Sequence, residues 1–246
     1  MTLLLQALAF IFDPANLVGD KGILPRLVDH LLYSGLAMGV AVLIGIPLGL
    51  LVAHTGRGRN LVVAVSSSFR ALPTLGLLFF IILFTGLGLV PLVAVLVILA
   101  VPPLLAGAYS GVEAVDKSTV DSARAIGMTE WQILRTVEVP LGLPLILGGV
   151  RSAALQVIAT ATIAGYVGLT GLGRFIIEGL ALRDYELALA GAILVAALAL
   201  VVDGLLALIQ QLAIPRGVSR GMALGVSTGR RKSSPPLVAA ASIKEG

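Results

Sequence analysis

Five long apolar stretches, parted by polar connections, leave this chain few folds to choose from. A hydrocarbon layer about 30 Å thick is crossed by about 20 apolar residues in a helix, because a helix satisfies every backbone N–H and C=O within its own segment. Runs of that kind lie at about 31–53, 61–88, 90–110, 143–165 and 187–213, predicting an all-α polytopic membrane protein with about five transmembrane helices. Composition agrees, since 58% of the 246 residues are hydrophobic and 12% charged, against roughly 25% charged in soluble domains. That length allows one membrane domain and leaves no room for a second, soluble enzyme.

The second stretch is the least regular: Ser66, Ser67, Ser68, Arg70 and Pro73 predict a bent or partly interfacial first half. The segment Leu3 to Phe12 is apolar but short and lacks a basic flank, so it reads as an interfacial helix rather than a signal peptide. The expected organisation is an extracytoplasmic or interfacial segment over 1–30, a membrane domain over 31–214 and a disordered basic cytoplasmic tail over 215–246. In that tail Arg230, Arg231 and Lys232 precede Ser233-Ser234-Pro235-Pro236, a cluster suited to touching anionic membrane lipid.

Five crossings put the termini on opposite sides, and the basic residues say which. With the C-terminus inside, the inner side holds Arg57, Arg59, Lys117, Arg124, Arg135, Arg216 and Arg220 besides the tail cluster and Lys244. The outer side holds Lys21, Arg26, Arg174 and Arg183. The positive-inside rule therefore predicts a multi-pass protein of the plasma (inner) membrane, N-terminus extracytoplasmic and C-terminus cytoplasmic. The net charge of +4 needs no nucleic acid to explain it.

The loop between the third and fourth spans then lies in the cytoplasm, and its residues are ordered. Asp121-Ser122-Ala123 is followed by Gly127 and by Val137-Glu138-Val139-Pro140. Lys117 to Ala125 suits a short surface helix, with Asp116 and Asp121 near its positive N-terminal end. Gly127 ends it, because glycine tolerates the positive φ beyond a helix C-cap. A second helix is expected from Thr129, a plausible N-cap, through Trp131 and Val137, stopping before Pro140. The two make a knob with an apolar underside and a polar tip.

Polar groups within spans are costly, so Arg70, Gln156, Thr160, Thr162 and Asp203, with the helix-breaking Pro73, are candidates for a translocation path or for interhelical contacts. Arg70 and Arg151 lie near predicted span ends and are read as snorkelling to the interface. Gly35, Gly39, Gly45 and Gly49, then Gly148, Gly149, Ala153 and Ala154, mark faces for close helix packing. Residues 165–174, GYVGLTGLGR, are rich in glycine but lack the order of a phosphate-binding loop, and read as a tight turn beside the exit of the fourth span. Cysteine is absent, His30 and His54 sit near span ends, and neither a Ser/Lys nor a paired-Asp arrangement is visible. No catalytic residue, metal site or cofactor is expected.

The loop resembles the segment that the ATPase grips in permeases of binding-protein-dependent ABC importers, although Asp121 and Ser122 stand where that family's pattern has Glu and Ala. Arg70-Ala71-Leu72-Pro73-Thr74-Leu75, Gln156 to Thr162, the GLTGLGR turn, and Asp184 ahead of Ala190-Gly191-Ala192 extend the likeness in order from about Leu31 to Leu212, most closely to osmoprotectant importers. The resemblance implies a MetI-like permease fold and a carrier of glycine betaine, choline, carnitine or proline-like solutes. It implies as partners two cytoplasmic ABC ATPase subunits, an extracytoplasmic solute-binding protein and a second permease chain, making a homodimer or a pair with a paralogue. It also places Asp121, Ser122, Ala123, Gly127, Val137 and Pro140 in the coupling loop. Two alternatives stay open: a permease for another small solute such as methionine, and a secondary transporter or channel working alone, with Asp203 or Arg70 carrying an ion. The second leaves the loop unexplained.

Overall fold

The computed structural model describes residues 2–19, 21–58, 60, 62, 64 and 72–213. Arg70, Ser66 to Ser68 and the basic tail lie outside them. The chain forms α1 (Thr2–Phe12), α2 (Ile23–Thr55), α3 (Thr74–Thr85), α4 (Leu89–Glu113), α5 (Lys117–Ala125), α6 (Glu130–Ile133), a π turn (Leu134–Glu138) and α7 (Val139–Thr160). A 3-10 segment (Ala161–Val167), α8 (Gly173–Leu182) and α9 (Tyr185–Ala213) complete it. No strand occurs among the described residues.

Four helical segments are long and apolar enough to cross a membrane: α2, α4, the continuous stretch Glu130–Val167 and α9. The predicted 61–88 span differs. Its second half is α3, 12 residues capped at the start by Pro73 and ended at Gly86, a helix of about 18 Å at 1.5 Å per residue and too short to cross alone. The first span is longer than expected: the chain is helical from Ile23, and Pro25 falls in the first turn, where proline is tolerated. Segment Thr2–Phe12 is helical as expected, and its Phe10 meets Phe175 edge-on at 5.7 Å.

The helices touch through small residues, as packing in lipid requires. Along α2, Ala37, Ala41, Gly45 and Gly49 face inward at steps of three or four residues. A Cβ on Gly45 would lie 2.8 Å from Leu104 Cβ, and one on Gly49 would lie 2.6 Å from the Leu105 carbonyl oxygen. The opposite side of α4 meets α7 through glycine backbones: a Cβ on Gly149 would lie 2.8 Å from Gly107 Cα, and Gly142 faces Gly111 in the same way. So α4 is sandwiched between α2 and α7, and Leu92, Val95, Leu96, Leu104 and Val157 fill the core. The other glycines expected to pack do not. Gly35, Gly39 and Gly148 have no neighbouring atom within 4 Å of a built Cβ.

Arg151 does not snorkel. It pairs bidentately with Asp203, tying α7 to α9 well inside both spans, because a guanidinium that stays in the membrane needs a counter-ion. Nearer the 114–138 loop, Gln210 Nε2 donates to the Pro144 carbonyl at 3.0 Å. At the opposite end Arg26, 5% exposed, donates to Glu178 at 3.1 Å and lies 4.1 Å over the Phe175 ring. Asp29 accepts from Thr170, and His30 Nε2 is 3.0 Å from the Ile158 carbonyl oxygen. The glycine-rich turn is tight as expected: Gly168 and Gly171 adopt φ of +78° and +124°.

Candidate functional site

The loop is built from its caps inward. Asp116 caps α5 by accepting from the Ser118 N–H at 2.9 Å, which satisfies an amide the helix start leaves free. Asp121 is not at that positive end; it lies mid-helix and accepts from Arg124 at 3.2 Å. Ile126 is the C-cap of α5 and Gly127 follows it at φ +87°, the left-handed conformation that glycine takes without strain. Thr129 then caps α6 with a reciprocal capping box to Gln132.

The second helix does not stop before Pro140. The turn from Leu134 to Glu138 widens to a π turn, in which the Val139 N–H reaches back to the Leu134 carbonyl. Pro140 falls at the start of α7 and has no N–H to donate, so the wider turn carries the chain through it and into the membrane. Loop and span are thus one continuous helical stretch.

The underside of the knob is apolar as expected. Val115, Val120, Ala123 and Ile133 are buried together, with Met128 and Val137 against them. Its tip departs from expectation, because Ile126 is 79% and Trp131 68% exposed. Ser122 turns its hydroxyl to the Ser118 carbonyl at 2.7 Å. The exposed surface around Asp121, Ser122 and Gly127 therefore presents apolar anchors beside polar groups, the composition of a protein-binding patch.

A line of alternating charge runs from this surface into the bundle. Arg124 donates to Asp121 and, through Nε and Nη2, to Glu130 at 2.8 and 3.0 Å. The hydrogen bond from Arg124 to Glu130, helped by Asp121, holds its guanidinium more firmly protonated than usual. Glu130 also lies 3.2 Å from His54 Nε2, and His54 Nδ1 lies 2.6 Å from Glu138. The His54 and Glu138 side chains are 11% and 7% exposed, so the last turn of α2 is joined to the loop by a nearly buried contact. A cavity of about 340 Å³ adjoins it, lined in part by Tyr109, Glu113, Lys117, Asp121, Arg124 and Glu138.

The sequence reading missed His54, Glu130 and Glu138. The signal available was weak: an acidic residue amid Val137, Val139 and Pro140, and a histidine one turn before a helix-ending glycine.

The candidate pathway residues divide. On α7, Ser152, Gln156 and Ala159 are exposed along one face, with Thr160 and Thr162 half-buried near its end. Thr162 donates to the Ala159 carbonyl at 2.8 Å. Asp203 is committed to Arg151, Pro73 caps α3, and Arg70 lies outside the described residues.

Residues 45–214 match the family model described as binding-protein-dependent transport system inner membrane component. A carnitine transport permease protein of Listeria monocytogenes is 39% identical over 190 residues, covering 77% of this chain and 87% of that protein. A glycine betaine/carnitine/choline transport system permease protein of Bacillus subtilis is 34% identical over 190 residues, 77% of this chain and 88% of that one. Among solved structures, an inward-facing conformation of the MetNI methionine ABC transporter aligns with a TM-score of 0.71 at 20% identity, covering 78% of this chain and 96% of that chain. That likeness carries the fold. Components of this family move solutes and leave ATP hydrolysis to a separate chain, working with a substrate-binding protein and a second permease. A knob of coupled helices on a bundle of apolar spans is the part such an assembly needs, and the chain belongs to the binding-protein-dependent transport system inner-membrane components, as a permease subunit of an ABC importer.

Proposed function

We propose that this chain is the permease of an osmoprotectant importer, carrying glycine betaine, choline, carnitine or a proline-like solute into the cell. The observation that supports the substrate class is the set of relatives at 31–39% identity over about three quarters of the chain, each named as a permease for such compounds. The membrane domain spans 31–214, preceded by an extracytoplasmic segment and followed by a basic cytoplasmic tail. The loop from Asp116 to Pro140 faces the cytoplasm, in keeping with the inward bias of Lys and Arg, and α5 with its exposed Ile126 and the neighbouring Trp131 docks in a cleft of the ATPase.

ATP-driven closure of two ATPase subunits then moves the loop, and the spans alternate between inward- and outward-open states through differential ATP binding to the two. The solute passes along the polar face of α7, where Gln156, Thr160 and Thr162 are joined by Ser152. A second permease, identical or paralogous, completes the enclosure, and the binding protein supplies the selectivity. Only 5% of the chain is aromatic, which fits a pathway that holds its cargo weakly.

The test is energised uptake of radiolabelled glycine betaine, choline, carnitine, proline and methionine by cells lacking this chain, complemented with wild type or Gly127→Asp. Restoration of betaine, choline or carnitine uptake by wild type alone is expected. Restoration of methionine uptake alone removes the osmoprotectant assignment, and uptake indifferent to Gly127→Asp removes the coupling role of the loop.

A further inference from the structure

We infer that His54 is the residue that carries movement of the loop into α2, held between two loop carboxylates. The inference rests on the reading of the loop as the ATPase-coupling segment and adds how its motion reaches the first span. Both ring nitrogens face carboxylate oxygens: Nδ1 meets Glu138 Oε2 at 2.6 Å and Nε2 meets Glu130 Oε2 at 3.2 Å. The Nδ1 contact is a hydrogen bond to a nearly buried carboxylate, and the Nε2 contact is an approach within ion-pair distance of an exposed one.

Three features of the chain hold that ring. His54 lies in the last turn of α2, which Gly56 ends at φ +67°, so a pull on it acts at the loop end of that span. Glu138 is 5% exposed and sits in the π turn that joins the loop to α7. Glu130 is fixed on its other side by the two hydrogen bonds from Arg124, which also reaches Asp121. Five groups thus follow one another from Glu138 through His54, Glu130 and Arg124 to Asp121. Among the described residues, Lys117 of α5 and Tyr109 and Glu113 of α4 line the adjoining cavity.

The consequence is a division within the clamp. Arg124, Asp121 and Glu130 belong to the part of the loop that meets the ATPase, and Glu138 belongs to α7; His54 is the group through which both pull on α2. Without the ring, α2 is released from the loop.

The experiment uses the full transporter, purified with its ATPase and binding protein and reconstituted in vesicles, with uptake of labelled glycine betaine or carnitine and ATP hydrolysis measured together. In His54→Ala the ATPase still co-purifies, but solute moved per ATP falls about tenfold, within the range expected of a coupling interaction. His54→Gln, whose amide can still donate to Glu138, restores part of it. His54→Ala with wild-type coupling, or His54→Gln no better than His54→Ala, overturns the clamp. Gly127→Asp is run beside them: if it is uncoupled while the His54 variants behave as wild type, the clamp alone fails, and if it transports normally the coupling role of the loop fails with it.

Discussion

Gly127 adopts φ +87°, and no atom of the chain lies within 4 Å of a Cβ built on it. The two facts separate the cost to this chain from the cost to its partner. Gly127→Ala places an L side chain in the left-handed region at a cost of about 1 kcal/mol, with no clash inside the chain, so the protein is expected to insert and accumulate as wild type. Gly127→Asp adds a charge on the same open surface, and loss of uptake with normal expression, read by immunoblot and transport assay together, is the expected outcome. Glu178 offers a test at the other end. Burial opposes its ionisation, but hydrogen bonds from Arg174 and Arg26 outweigh it and hold its carboxyl below the usual glutamate range. A depressed carboxylate contributes stability that is complete above its unfolded pKa and is lost as pH falls through the folded one. Thermal unfolding in detergent should therefore shift to lower temperature as pH drops below about 4.5, with Glu178→Gln less stable at neutral pH and less sensitive to acid.

Among the elements, caps were legible in the sequence because they are local. Asp116, Gly127 and Thr129 act within three residues of their own positions, so residue type and order sufficed to place them. Pro140 misled, since proline ends an α-helix only if the turn before it is an α turn, and nothing in Leu134 to Glu138 announces the wider one. His54 and Glu138 stand 84 positions apart, as Arg151 and Asp203 stand 52 apart, and no pattern along the chain pairs them. The glycine seams show the same limit. Gly35, Gly39, Gly45 and Gly49 are alike in spacing, yet Gly45 and Gly49 meet α4 and the other two meet nothing within 4 Å. Gly149→Val sets a side chain against Gly107 and Pro103 and is expected to cost about 1–3 kcal/mol by forcing α4 and α7 apart, seen as a lower unfolding temperature in detergent. Gly148→Val, one position away and facing open space, should unfold close to wild type.

For the whole molecule, apolar length carried the reading from sequence to class, since four helical segments are long and apolar enough to cross a membrane. The chain has no cysteine, so single replacements report position without background. Ile126→Cys should react with a membrane-impermeant maleimide in inside-out vesicles alone, and Val18→Cys in right-side-out vesicles alone; the reverse pattern would invert the proposed orientation. The Arg151–Asp203 pair has an electrical consequence. Two opposite charges held together inside the spans sum to zero, so the membrane potential does no net work on them when α7 and α9 shift together. Asp203→Asn leaves one elementary charge in that field, and moving it across the full potential corresponds to about 2.3 kcal/mol per 100 mV. The intact pair leaves this part of the cycle indifferent to voltage.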